Sequence, residues 1–225
     1  MKILLIIGAL LLTMISSAFA QAPDTSNGDW PFYTGDIKGS RYSPLDQINA
    51  DNFEDLELVW SFSTKNLGSR AEYKLEVTPL VIDGILYATA GTRRTAIALD
   101  GATGELKWIH SMEEGLRAGL APRQLSGRGL SYWSDGNGDD RIFYVTTGYK
   151  LVSLNAHTGI PIESFGTDGT GILDLKVGVV QGKEVQIDLV TGEIGLHATP
   201  TVAGDLVIVG SAMKEGMTID NYNNT

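Results

Sequence analysis

The fold is decided by the stretch Ala98-Leu99-Asp100-Gly101-Ala102-Thr103-Gly104-Glu105-Leu106-Lys107-Trp108. It reads as a strand, a tight turn and a second strand. The Asp100 carboxylate and the Thr103 hydroxyl can both accept from backbone N–H groups within the turn. Gly104 supplies a left-handed position, and Trp108 is a large ring suited to packing between adjacent sheets. The pattern returns as Ser153-Leu154-Asn155-Ala156-His157-Thr158-Gly159, closed by Phe165 in place of the tryptophan. A third copy, Asp188 to Gly192 with Thr191, lacks a closing aromatic and reads as a turn inside an insertion.

A second repeat runs alongside the first. Thr78-Pro79-Leu80-Val81 through Ala90 aligns without a gap on Thr199-Pro200-Thr201-Val202 through Ser211. Between these units lie short apolar runs divided by Gly and Asp. Leu80-Val81-Ile82 and Ile85-Leu86-Tyr87-Ala88 meet at Asp83-Gly84, a pair that tolerates positive φ and marks a hairpin. Ile142 to Val145 and Leu206 to Val209 are further strands. The main helical expectation is one or two turns between Asn49 and Trp60, with Phe53, Leu56 and Val59 at helical spacing. Repeats of roughly 40–50 residues built from four strands indicate an all-β chain, a β-propeller. A β-sandwich with coincidental turns is the alternative.

The chain has 225 residues, a net charge of −10 and 43 % hydrophobic residues, enough to build a core. The acidic balance argues against nucleic acid or an anionic membrane as partner, since both need positive surface. With no cysteine, disulfides, thiolate metal sites and cysteine nucleophiles are excluded. Lys2, the apolar run Ile3 to Ile15 and Ala18-Phe19-Ala20 read as a cleaved signal peptide over residues 1–20, which implies a periplasmic product. The run is shorter than the ~20 residues that a membrane-spanning helix needs. Asp135-Gly136-Asn137-Gly138-Asp139-Asp140 begins like a calcium loop. Arg141 stands where that loop needs glycine and no closing glutamate follows, so a polar hairpin turn is expected.

The element Ala-x-Asp-x-x-Thr-Gly-x-x-x-Trp resembles the tryptophan-docking repeat of the quinoprotein dehydrogenases, eight-bladed propellers that bind pyrroloquinoline quinone (PQQ). The resemblance extends in order through Trp30-Pro31-Phe32-Tyr33, Ser40 to Asn49, Leu58-Val59-Trp60, Glu76 to Val81, Arg128 to Trp133, His197 to Pro200 and Val207 to Ser211. It is closest to the membrane-type glucose dehydrogenase branch. Eight blades at ~45 residues each need well over ~350 residues. The chain therefore reads as signal peptide 1–20 followed by residues 21–225, the N-terminal portion of such a propeller with about three to four blades. An open propeller of this kind exposes sheet faces and unpaired edges.

The resemblance implies roles for particular residues. Glu76 matches the acidic residue that hydrogen-bonds the quinone edge; a solvated strand-end glutamate is the alternative. Arg128, followed by Gly129, matches the arginine that grips the cofactor carboxylates, for which a planar guanidinium is suited; a surface salt bridge is the alternative. His197, Thr199 and Ser211 fall where residues of the next blade approach the cofactor, although a histidine packed near the propeller axis fits the sequence equally well. Glu215 falls where some relatives ligate calcium or another divalent cation, with Asp220 as a fallback. The paired cysteines common in the family are replaced by Ala121 to Gly127, so no disulfide lid exists.

The implied reaction is oxidation of an alcohol or aldose sugar, with electrons passed to a membrane quinone or a cytochrome. The catalytic aspartate is expected beyond residue 225, so no residue of this chain is assigned that role. A non-catalytic propeller scaffold in envelope protein assembly is the competing function. Against it stand the absence of a lipoprotein cysteine and the retention of both Glu76 and Arg128.

Overall fold

The computed structural model describes residues 24–166, 168–175 and 194–213, with short paired segments at Val179–Val180 and Lys183–Glu184. Residues 1–20, expected to be a signal peptide, the third repeat copy expected at 188–192, Glu215 and Asp220 lie outside the described residues. Two four-stranded antiparallel sheets form the body. The first holds β1 (Leu80–Ile82), β2 (Ile85–Ala90), β3 (Thr95–Asp100) and β4 (Leu106–His110) in simple meander order. A short helix, α1 (Gly115–Leu120), and a loop lead to the second sheet. Its strands are β5 (Ser131–Ser134), β6 (Asp140–Val145), β7 (Lys150–Asn155) and β8 (Ile172–Asp174), again in sequence order.

Beyond them, β9 (Val179–Val180) pairs with β10 (Lys183–Glu184), and β11 (Ile194–Gly195) pairs with β14 (Ala212–Met213). The hairpin β12 (Thr201–Ala203) and β13 (Leu206–Ile208) opens the next repeat. The described residues thus complete two propeller blades and begin another.

The hairpins form as their turn residues dictate. Ile82 pairs with Ile85 across Asp83 (φ 50°) and Gly84 (φ 75°), both in the left-handed region that a two-residue hairpin needs. The gapless alignment seen in the sequence is obeyed residue by residue: Ala203 pairs with Leu206 as Ile82 does with Ile85. In the turn after β3, Asp100 Oδ1 accepts from Ala102 N (3.1 Å), Thr103 N (3.0 Å) and Thr103 Oγ1 (3.0 Å). After β7, Asn155 Oδ1 accepts from His157 N (3.0 Å), Thr158 N (3.0 Å) and Thr158 Oγ1 (3.1 Å).

Blade stacking follows from those turns. Trp60 Nε1 donates to Gly101 O (3.1 Å), and Trp108 Nε1 donates to Ala156 O (2.7 Å). Each indole also lies flat against the turn glycine of the blade that follows it. A Cβ on Gly104 would sit 2.6 Å from Trp60 Cδ2, and one on Gly159 would sit 2.6 Å from Trp108 Cδ2. Both glycines have positive φ. The aromatic at the end of one repeat is therefore keyed into the turn of the next. Phe165 closes the second repeat by an edge contact with Phe143 (centroids 5.4 Å apart).

Strand alternation puts one set of side chains on each side of a sheet. Tyr87, Ala96, Ala98 and Trp108 of the first blade pack with Ile142, Tyr144, Val152 and Leu154 of the second. The opposite face of the second blade, through Phe143, Val145 and Leu151, meets Leu196 and the β12–β13 hairpin residues Val202 and Val207. Ala88, Ala90, Ile97 and Leu99 cover the other face of the first blade with Trp60, Phe62 and Val77. A sheet buried on both faces explains why the strands read as unbroken apolar runs.

The sequence-based helix between Asn49 and Trp60 reduces to one 3-10 turn, Phe53–Asp55. Phe53, Leu56 and Val59 are exposed there, so the helical spacing has no partner face to bury. The loop 135–140 is a hairpin turn, as expected. Asp135 Oδ1 accepts from Asn137 N (2.7 Å) and Asp139 N (3.0 Å), while Asp139 pairs with Arg141. Among the described residues no helix is long and apolar enough to cross a membrane.

Candidate functional site

Arg128 is fixed at the crossing of three segments that are distant in sequence. Its N–H donates to His197 O (2.9 Å), and its C=O accepts from Thr78 N (3.1 Å). The first bond ties it to the segment between β11 and β12. The second ties it to the extended segment that carries Glu76 into β1. Glu76 lies ahead of the strand, which begins only at Leu80. Gly129 follows with φ 127°, and a Cβ there would sit 2.9 Å from Thr78 O. Glycine is required for this close approach.

The structure therefore brings Glu76, Arg128, His197 and Thr199 together. Glu76 Oε1 lies 3.8 Å from Arg128 Nη2 and 3.0 Å from Lys74 Nζ. The Lys74 ammonium first, with Arg128 behind it, holds the Glu76 carboxyl below the usual carboxylate range. His197 Nδ1 and Thr199 Oγ1 are buried atoms without a hydrogen-bond partner among the described residues. Burial, and then the guanidinium groups of Arg123, Arg94 and Arg128, push the His197 pKa down, so its imidazole is neutral. Ser211 is exposed and lines neither of the two cavities beside Arg128.

A polar cavity of about 510 Å³ opens over Glu76, Arg128 and His197. Arg70, Lys74 and Arg123 also line it, so four permanent cations face one carboxylate in a chain of net charge −10. On the other side of Arg128 and His197 is a more apolar cavity of about 410 Å³, walled by Phe32, Tyr33, Ile37, Tyr132 and Val202. Arg128 and His197 form the partition between the two. Among the described residues no group of three His, Asp or Glu side chains comes together to hold a metal ion.

Two supporting residues are not legible in the sequence. Arg94, fully buried at φ 52°, reaches from the β2–β3 turn beneath the Arg128 loop. Its guanidinium donates to the carbonyls of Leu125 (3.1 Å), Arg123 (2.8 Å), Val145 (3.2 Å), Thr146 (3.4 Å) and Leu196. Loss of hydration lowers its pKa to about 10, which still leaves it charged at neutral pH. Glu72 clamps the same loop from the other side, accepting from Ser126 N (2.8 Å) and Gly91 N (3.0 Å). The adjacent arginines at 93 and 94 look alike in the sequence; only the backbone path separates the buried one from its exposed neighbour.

Residues 30–224 match the family model described as "Glucose/ethanol/alcohol dehydrogenase, beta-propeller domain" of the PQQ proteins. The chain belongs to this family. It is 30 % identical over 222 residues to the quinoprotein glucose dehydrogenase of Gluconobacter oxydans, covering 91 % of this chain and 26 % of that protein. It is 36 % identical over 135 residues to the dehydrogenase subunit of the quinone-type alcohol dehydrogenase of the same organism, covering 59 % of this chain and 16 % of that protein. Among solved structures, the quinohemoprotein alcohol dehydrogenase of Comamonas testosteroni superposes with a TM-score of 0.62 at 26 % identity, over 83 % of this chain and 24 % of that one. The chain thus spans about a quarter or less of the length of these quinoprotein relatives. The two four-stranded blades are the corresponding part of a PQQ-family propeller.

Proposed function

We propose that this chain contributes the PQQ-binding wall of a periplasmic quinoprotein dehydrogenase that oxidises an alcohol or an aldose sugar. The observation that carries the reading is the polar cavity in which Glu76, Arg128 and His197 converge from three segments. PQQ is a planar tricarboxylate, and the cavity offers what such a molecule needs. Guanidinium and ammonium groups answer its carboxylates. His197 Nδ1 has no hydrogen-bond partner among the described residues and can meet a polar atom in this cavity, while Thr199 Oγ1, also without one among them, lies beside the more apolar cavity. When bound, the quinone supplies the two-electron acceptor for the reaction.

The chain's own residues bind and orient. Arg128 is held by both its N–H and its C=O, so its side chain is presented from a fixed backbone. Glu76 stays ionised and is an acceptor only. Neutral His197 has one ring nitrogen to donate and one to accept. The substrate alcohol or sugar, and the membrane quinone or cytochrome that takes the electrons, are proposed from the relatives named above.

Calcium or another divalent cation is proposed from the family resemblance alone; one solved structural neighbour, described as a europium-containing methanol dehydrogenase, bears a metal of a different kind. The proposed cation's sequence-based ligand, Glu215, lies outside the described residues. Export to the periplasm is proposed from the signal-peptide pattern at residues 1–20.

The test is a spectrophotometric titration of the full chain with PQQ in the presence of Ca²⁺. A saturable absorbance shift that disappears in Arg128→Ala is expected. No shift in the unaltered protein would favour the scaffold function over the dehydrogenase.

A further inference from the structure

The polar cavity holds more positive charge than one carboxylate contact explains. Arg128 has Glu76 at 3.8 Å, and Lys74 has the same carboxylate at 3.0 Å. Arg70 lies over the Tyr73 ring, 5.1 Å from its centroid. Arg123 has nothing comparable: among the described residues its guanidinium meets no carboxylate and no hydrogen-bond acceptor. Only its backbone is engaged, through the carbonyl that accepts from Arg94. Yet Arg123 is anchored firmly. Its Cβ and Cγ lie against Gly195, where an added Cβ would come within 2.8 Å of Arg123 Cβ.

Like charges gathered in one cavity repel, and folding stability gives no reason to place them together. Such placement is characteristic of a site that waits for an opposite charge. Ser126, on the same loop and 1 % exposed, also carries a buried hydroxyl with no partner in the cavity wall.

We propose that Arg123 is a second carboxylate-binding guanidinium of this site, engaging a carboxylate of the quinone that Arg128 does not neutralise. This rests on the reading that the cavity holds PQQ. Two guanidinium forks in one cavity select a polycarboxylate over a monocarboxylate, because only the former can satisfy both.

The test uses the full chain, with PQQ affinity read from quenching of tryptophan fluorescence. The variants are Arg123→Gln, Arg123→Lys and Arg128→Gln. Glutamine keeps the methylenes that pack on Gly195 and removes the charge. Arg123→Gln should weaken PQQ binding about tenfold to a hundredfold, the range for a charge-assisted bond, and flatten its salt dependence. Arg123→Lys should fall between, since an ammonium keeps the charge without the fork. A benzene tricarboxylate should compete in the unaltered protein and compete less well in Arg123→Gln.

Unchanged PQQ affinity in a folded Arg123→Gln protein, with binding lost in Arg128→Gln, overturns the role of Arg123 and leaves the cofactor site standing. If Arg123→Gln does not fold, full affinity in Arg123→Lys overturns the two-fork selection in the same way. Failure of the unaltered chain to bind either PQQ or the tricarboxylate overturns the cofactor site itself.

Discussion

The turn after β3 and the cavity beside Arg128 are built from similar side chains used in opposite ways. In the turn, Asp100 accepts three hydrogen bonds from its own loop, and Trp60 closes over Gly104 with its indole N–H donating to Gly101 O. Every polar group there that the fold needs has a partner. The second blade repeats the arrangement with Asn155, Gly159 and Trp108. In the cavity, four cations face a single carboxylate, and the lining atoms His197 Nδ1 and Ser126 Oγ have no hydrogen-bond partner among the described residues. The first arrangement is closed upon itself and repeats. Among the described residues the second is open and does not repeat; it lies where three segments meet. Local consistency marks the scaffold, and its local absence marks the site.

Arg94 is the link between these two regions, and removing it should break both. Arg94→Met leaves carbonyls of Arg123, Leu125, Val145, Thr146 and Leu196 without their donor in a buried position. A loss of about 3–5 kcal/mol is expected in urea unfolding. Arg94→Lys should rescue little, because one ammonium cannot replace a fork that serves three segments.

Breaking the scaffold alone comes next. Trp108→Ala removes a buried indole and its bond to Ala156 O, and should cost about 3–5 kcal/mol by the same measurement. Trp60→Ala should cost less, since Trp60 is only partly buried. Gly159→Ala places a Cβ 2.6 Å from Trp108 Cδ2 at positive φ, so it should lower Tm clearly and shift Trp108 fluorescence.

The cavity should answer differently. Glu76→Gln is expected to leave Tm nearly unchanged, because both of its ion pairs are partly exposed. It should nonetheless weaken PQQ binding. A substitution that moves affinity without moving stability is the signature that separates the open region from the closed one.

The smallest expected effect is on pH. Burial lowers the pKa of His110, which bonds Tyr144 OH at 2.8 Å through Nδ1. Burial also leads the downward shift of His197. The unfolded chain takes up protons near pH ~6.5 that the folded chain resists. Stability should therefore be full above that pH and decline as pH falls below it. Urea midpoints at pH 7.5 and pH 5.5 check this, and His110→Gln should reduce the difference.

The repeat units were legible because each is specified locally. Asp83-Gly84 fixes a hairpin through backbone conformation alone, and Asp100 to Gly104 fixes a turn through bonds within five residues. Glu76, Arg128 and His197 were legible only through family resemblance, since nothing in their spacing shows that the chain brings them together. Arg94, Glu72 and Arg123 were not legible at all. Their contacts run across 19 or more residues, as in Glu72 to Gly91 N, Arg94 to Arg123 O and Glu72 to Ser126 N. The helical spacing of Phe53, Leu56 and Val59 misled in the converse sense: an apolar stripe needs a surface to bury against, and these three face solvent.

A crystal structure of the full chain grown with PQQ tests the cofactor site most directly. Quinone density between Arg128 and Glu76, with a carboxylate on the Arg128 guanidinium, is the predicted result. An ordered PQQ bound elsewhere, with this cavity filled only by water, would contradict it.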